Sequence, residues 1–189
     1  MPDAEAAWED AEPGPDPAGV RELLAIRCGG LADVVRAVPA LRHLRSAYPD
    51  ARITVAVEHA ARQLLESCPF VDRVVALDAL AEALLERFDM GISFASPVTS
   101  SALSLVSVDA QFRAGWSLDG AHRRGWMLPA WPARLADADR MLRLSWLVAG
   151  RNVRPHDGIG LWPTLADRNG AARLVSGITR PLALVHVRP

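Results

Sequence analysis

Residues Leu23–Leu41 read LLAIRCGGLADVVRAVPAL, and this stretch decides the fold. Leu23–Arg27 is an almost unbroken apolar run, the pattern of a central parallel strand buried on both faces. Cys28–Ala32 is a small-residue turn whose Gly29 and Gly30 let the backbone bend sharply and let a ligand come close. Val34, Val35, Val38, Leu41, Leu44 and Tyr48 then recur at helical spacing. Asp33 is thereby placed between the carboxyl end of a strand and the amino end of a helix, the edge at which open α/β sheets bind ligands.

Working outward, Pro39 removes a backbone donor, so the first helix either kinks there or begins there. Arg36, Arg42, His43 and Arg45 lie off the apolar stripe, and His43 reads as a solvated surface histidine. Tyr48-Pro49-Asp50 ends the helix. Arg52–Val57 is a second strand, closed by Glu58 and a short helix through Glu66. Val71–Leu77 gives a third strand, Ala79–Arg87 a helix, and Phe88–Phe94 a fourth strand. Its hydroxyl-rich exit, Ala95–Ser101, leads into a helix to about Val106, and Ala110–Trp116 is a fifth strand. Strands alternating with helices at this spacing predict βαβ units and a parallel sheet.

Ser117–Pro132 breaks the pattern and reads as an irregular loop over the sheet rim, with Arg123 and Arg124 beside Trp126. Asp137–Ala149 is a helix with Asp137 as N-cap and Gly150 as its stop. A weaker helix spans Asp167–Ser176, and Pro181–Val187 reads as a new buried strand. Three regions follow: an acidic, disordered Pro/Ala-rich tail over 1–19, a Rossmann-like domain over 20–165, and a linker with the first strand of an incomplete second domain over 166–189.

The chain's 189 residues are half hydrophobic and carry a net charge of −1. That balance hides an acidic leader: Asp3, Glu5, Glu9, Asp10, Glu12 and Asp16 precede the first arginine. The rest is mildly basic, all through arginine, but too weakly and too diffusely to suit nucleic acid. Cys28 and Cys68 lie in apolar surroundings without a CxxC pairing or a histidine at metal-ligand spacing, so both read as buried free thiols of a reducing, cytoplasmic compartment. The acidic leader is the opposite of a signal peptide, and no apolar run reaches membrane-spanning length.

The turn excludes one chemistry. A dinucleotide site needs G-x-G-x-x-G, whereas here Cys-Gly-Gly-Leu-Ala-Asp puts a carboxylate where a pyrophosphate would sit. Glu58 imitates the ribose-binding acid of such folds, though alone. Asp33 itself has two readings, a helix N-cap or a general base that takes a proton from a hydroxyl nucleophile. Ser96, Thr99 and Ser100 at the end of the fourth strand suit either sugar hydroxyls or helix capping. The candidate catalytic residue is Asp33, and the candidate substrate-binding residues are Gly29, Gly30, Glu58, Ser96 and Thr99, with no metal or cofactor site.

Arg27-Cys-Gly-Gly-Leu-Ala-Asp33-Val-Val-Arg-Ala-Val-Pro39-Ala-Leu41 resembles the opening of the family 9 glycosyltransferases, the heptosyltransferase type. The resemblance continues through Tyr48-Pro49-Asp50-Ala51-Arg52-Ile53, Val71-Asp72-Arg73-Val74, Phe88-Asp89, Ser101, Arg113-Ala114-Gly115 and the Asp139-Arg140 helix. It covers roughly Arg21 to Gly150. It implies the N-terminal, acceptor-side half of a two-domain GT-B glycosyltransferase with its C-terminal, donor-side domain truncated. The implied reaction is an inverting, metal-independent transfer from a nucleotide-sugar to a glycan or glycolipid acceptor, with Asp33 activating the acceptor hydroxyl. Peripheral association with the inner membrane face and self-association through the incomplete domain face are further expectations. This chain departs from the family at Ala32, where the family has glycine, and at Asp78–Glu82, where basic residues for phosphorylated acceptors would stand. The competing expectation is a truncated, non-catalytic binding module or a fragment that needs the missing half.

Overall fold

The sheet grows outward from β1 (Glu22–Arg27), in a computed structural model that describes residues 14–79, 86–97, 107–118, 121–123, 125–149 and 160–177. β2 (Arg52–Val57) and β3 (Arg73–Ala76) extend it to one side. β4 (Phe88–Ser93), β5 (Ala110–Ala114) and a hairpin of β6 (Ala121–Arg123) and β7 (Trp126–Leu128) extend it to the other. The seven strands lie in the order β3-β2-β1-β4-β5-β7-β6. Every neighbouring pair is parallel except β6–β7. The chain first builds leftward from β1 and then returns to start rightward with β4. A topological switch point therefore lies between β1 and β4, in the register Leu23↔Met90 to Ile26↔Ser93.

β1 is central because it is apolar on both faces. Leu23 and Ala25 join one core with Ile53, Val55, Met90 and Ile92, while Leu24 and Ile26 join the opposite core with Ala56, Phe88 and Ala110. The first core is capped by α1 (Leu31–Ala47) and α2 (Asp137–Ala149), which pack on each other. Val34, Val38, Leu41 and Leu44 of α1 and Met141, Leu144 and Val148 of α2 are buried there. Tyr48 is fully buried, and its hydroxyl donates to the Val148 carbonyl at 3.1 Å, tying the two helix ends together.

Two carboxylates fasten the amino edge of the sheet. Asp89 Oδ2 accepts from the Arg21 and Glu22 amides at 2.7 and 3.0 Å, and Asp72 Oδ2 accepts from the Ile53 amide at 2.7 Å while also pairing with Arg45. Phe88-Asp89 and Val71-Asp72 are thus latches for strand starts, far from the carboxyl rim.

Several expectations change. α1 continues through Pro39 and begins at Leu31, so proline neither starts nor ends it. The Val35 carbonyl loses its helical donor there. His43 is 4% exposed and meets Trp146 edge-on, so it is not a surface histidine. α1 is pressed between the sheet and α2, and its buried arc is wider than one stripe. Ser117–Pro132 is not an irregular loop: it folds into β6 and β7, and β7 continues the parallel sheet beside β5, with a further bridge between Ser117 and Ala130. Strands of three residues are too short to show a period of two, yet they cover the edge of β5. The short helix expected after Glu58 is a 3-10 helix, His59–Leu64. Gly14–Gly19 lies on the body, with a 3-10 turn at Pro17–Gly19 and Gly14 against the Val148 carbonyl. The expected helices around 80–85 and 98–106, Gly150 and the strand Pro181–Val187 fall outside the described residues.

α3 (Leu165–Leu174) buries none of its residues. It is held at its start by a reciprocal capping box: Thr164 Oγ1 accepts from the Asp167 amide at 3.1 Å, and Asp167 Oδ2 accepts from the Thr164 amide at 2.8 Å. The Thr164 hydroxyl, which donates to Asp167 Oδ2 at 2.6 Å, and then the Thr164 amide hold the Asp167 carboxyl below its ordinary value. A depressed folded pKa means the cap stabilises α3 above the ordinary aspartate range and is lost as pH falls through the folded value. Amide exchange at Asp167 is expected to accelerate only in that acidic window. Tyr48→Phe is expected to cost about 1 kcal/mol in unfolding free energy, because the Val148 carbonyl loses a buried donor; a chemical denaturation curve measures it.

Candidate active site

The end of β1 delivers a charge into the interior. Arg27 is 7% exposed, and its guanidinium has four partners. Nη1 donates to the Phe94 carbonyl at 3.2 Å, Nε to the Asp33 carbonyl at 3.3 Å, and Nη2 to Asp33 Oδ1 at 3.2 Å and Asp137 Oδ2 at 2.5 Å. Such a group stays inside only while it is compensated; removing a partner of a buried ion pair costs about 3–5 kcal/mol. The arginine therefore binds β4, α1 and α2 to the end of β1.

Around it lies a cleft of about 400 Å³, lined by Arg27, Cys28, Asp33, Arg36, Ala95, Ser96, Trp131, Asp137 and Arg140. It opens at the carboxyl ends of β1 and β4, at the switch point, where such sheets hold ligands. Asp33 occupies the third helical position of α1 and is not the N-cap, which is Gly30. Asp33 Oδ2 accepts from the Gly30 amide at 2.9 Å, the acidic half of a capping box, while Oδ1 accepts from Arg27 and from Arg36 Nη1 at 3.3 Å. Three donors fill three of the roughly four acceptor positions of a carboxylate. The Asp33 side chain remains 32% exposed, so the fourth position is open to a ligand.

Across the cleft, α2 contributes Asp137 and Arg140, 3.4 Å apart. The Arg140 guanidinium lies 4.4 Å over the Trp131 ring, also donates to the Leu135 carbonyl, and Trp131 meets Trp116 edge-on at 5.9 Å. Asp137 is the first residue of α2, and its carboxylate is spent on Arg27 and Arg140.

The sequence-derived candidates divide here. Asp33 and Ser96 line the cleft. Gly29 and Gly30 shape the turn instead of lining the cleft. Gly29 has φ +118°, and a Cβ there would stand 2.4 Å from Asp33 Oδ2, whereas Gly30 offers its amide to the same oxygen. Ala32 adopts no positive φ, so the family's glycine there is not required by this turn. Glu58 is exposed at the end of β2, on the far side of β1 from the notch, and does not line the cleft. Thr99 and Ser100 lie outside the described residues, as does Arg124. Trp126 packs under Arg113, with the guanidinium 5.1 Å from its ring. Cys28 is a half-buried wall of the cleft and not a core thiol; Cys68 is buried, and burial pushes its thiol up.

Arg27, Trp131, Asp137 and Arg140 escaped the sequence reading as cleft residues. Only Arg27 carried a signal, a cation ending an otherwise apolar strand. Among the described residues no cluster of His, Cys, Asp and Glu could hold a metal ion, and no helix is long and apolar enough to cross a membrane. Gly29→Ala is expected to displace the Asp33 carboxylate and destabilise the fold by about 1–3 kcal/mol. Thermal melting and the amide chemical shift of Gly30 report the two effects.

No protein-family model and no curated protein sequence matches the chain. Solved structures do. A glycosyl transferase family 9 protein from Veillonella parvula aligns with a TM-score of 0.72 at 17% identity, over 85% of this chain and 51% of that one. The E. coli heptosyltransferase WaaC with ADP aligns at TM-score 0.59 and 20% identity over 72% of this chain and 50% of that one. E. coli ADP-heptose lipopolysaccharide heptosyltransferase II aligns at 0.58 and 19% over 82% and 50%. The chain spans about half the length of these proteins. Its fold is the Rossmann-like α/β fold of one half of a family 9, heptosyltransferase-like glycosyltransferase.

Proposed function

We propose that the chain is the acceptor-side domain of a GT-B glycosyltransferase that moves a sugar from a nucleotide-sugar donor to an acceptor hydroxyl. The observation that carries this reading is the Asp33 carboxylate at the switch-point cleft, held by three donors with one acceptor position open. An acceptor O–H entering the cleft donates to that position. Its oxygen attacks the anomeric carbon of the donor, the bond from that carbon to the diphosphate breaks, and the proton passes to Asp33. The leaving group departs as a nucleoside diphosphate and the anomeric centre inverts. Asp33 contributes general-base catalysis, worth about 10²–10⁴ in rate.

The donor belongs to the facing half of such enzymes. Two of the solved neighbours carry ADP or an ADP-heptose analogue, which supports a nucleotide-sugar as partner. The chemistry assigned to Asp33 needs no metal, and the reading places the protein in the cytoplasm, at the inner membrane face when the acceptor is a glycolipid.

The chain's coverage of about half of each neighbour favours a second reading, a binding module that holds the acceptor without transferring to it. One pair of measurements separates them. With ADP-heptose as donor and glycan acceptors, release of ADP with sugar transfer is expected, falling about 10²–10⁴-fold in Asp33→Asn assayed below its melting temperature, where the variant is folded. Undiminished turnover in that variant removes Asp33 as base. Saturable binding of a saccharide acceptor with no transfer assigns the module reading instead.

A further inference from the structure

Arg27 Nη2 is shared by two carboxylates, and the shorter bond goes to the distant one: 2.5 Å to Asp137 Oδ2 against 3.2 Å to Asp33 Oδ1. The other guanidinium nitrogens are fixed on the Phe94 and Asp33 carbonyls. Asp137 is held in turn by Arg140, which is stacked on Trp131. A row of packed side chains thus runs from the aromatic wall of the cleft to Asp33. A guanidinium N–H makes a strong charge-assisted bond to a carboxylate. Without Asp137, the Nη2 N–H that it engages is free to turn to Asp33, the other carboxylate bonded to the same nitrogen. That second bond would take the last open acceptor position of Asp33 and withdraw it from the cleft.

We propose that Asp137 is a positioning residue for sugar transfer: by engaging Arg27 it keeps Asp33 from being captured, so that one lone pair of Asp33 stays open to the acceptor hydroxyl. Asp137 touches no reacting atom and acts through Arg27. The inference rests on the reading of Asp33 as base, and adds a role for α2 that this reading does not require.

The test combines kinetics with a melting cycle on the 189-residue chain. With ADP-heptose and a glycan acceptor, Asp137→Asn is expected to lower kcat about a hundredfold while the acceptor KM stays within twofold. Asp137→Glu, which keeps the charge, is expected to recover much of the loss. In the cycle of Asp33→Asn, Asp137→Asn and the double variant, each single change leaves Arg27 one carboxylate. The double variant leaves it none and should melt lower than the two single shifts predict together. Wild-type kcat in Asp137→Asn alongside an inactive Asp33→Asn overturns this inference alone, whereas wild-type turnover in Asp33→Asn overturns the base reading. Strictly additive melting shifts overturn the coupling through Arg27 whether or not transfer is detected.

Discussion

A buried guanidinium organises this structure. Arg27 ends the central strand with its side chain almost wholly removed from water, and its charge is tolerable only if acceptors reach it from several directions. Phe94 supplies a carbonyl from the end of β4, Asp33 a carbonyl and a carboxylate from α1, and Asp137 a carboxylate from α2. Leaving such a charge unpaired costs several kcal/mol, a large part of the roughly 5–15 kcal/mol by which domains of this kind are stable. The strand order, the glycine turn and the placement of α2 must therefore be satisfied together. The same requirement gathers Asp33, Asp137 and the Phe94 carbonyl around one point.

The sheet decides where that point lies. Because β4 pairs with β1 and not with β3, the carboxyl ends of β1 and β4 meet on a common rim and leave a notch between them. Arg27, Cys28 and Asp33 enter it from one side and Ala95 and Ser96 from the other. Carboxylates serve two different ends in this fold. At the amino edge, Asp72 and Asp89 are consumed by strand-start amides and hold the strands in place. At the carboxyl edge, Asp33 retains an open position. Chemical type alone does not separate these roles; the number of donors already committed does.

Much of the fold was legible in the residues. β1, β2 and β4 announced themselves because a strand buried on both faces must be apolar at successive positions. The longer helices were legible from their spacing, and Asp33 was placed correctly on the rim because a strand, a glycine turn and a helix admit one local geometry. The errors have physical causes. Pro39 looked like a boundary because local rules weigh the lost donor, whereas the packing of α1 against both sheet and α2 outweighs it. His43 looked exposed because a stripe drawn on an isolated helix cannot show a second neighbour. β6 and β7 looked like loop because their strand character comes from the edge of β5. Glu58 stands exposed at the end of β2, outside the residues that line the cleft, because β2 and β4 flank β1 on opposite sides.

The sequence by itself determined the local chemistry: the apolar strand ending in arginine, the glycine at which only a side chain without Cβ leaves room for the Asp33 carboxylate, and the aspartate at the start of a helix. These are decided within a few residues, by steric and hydrogen-bonding rules that act along the chain. Only the tertiary structure decided that Asp137, 110 positions from Arg27, shares its charge, and that Ser96 lines the same cleft as Asp33. Those facts depend on which strands are neighbours and on α2 crossing α1. They arise from burying a charge that no local segment could compensate.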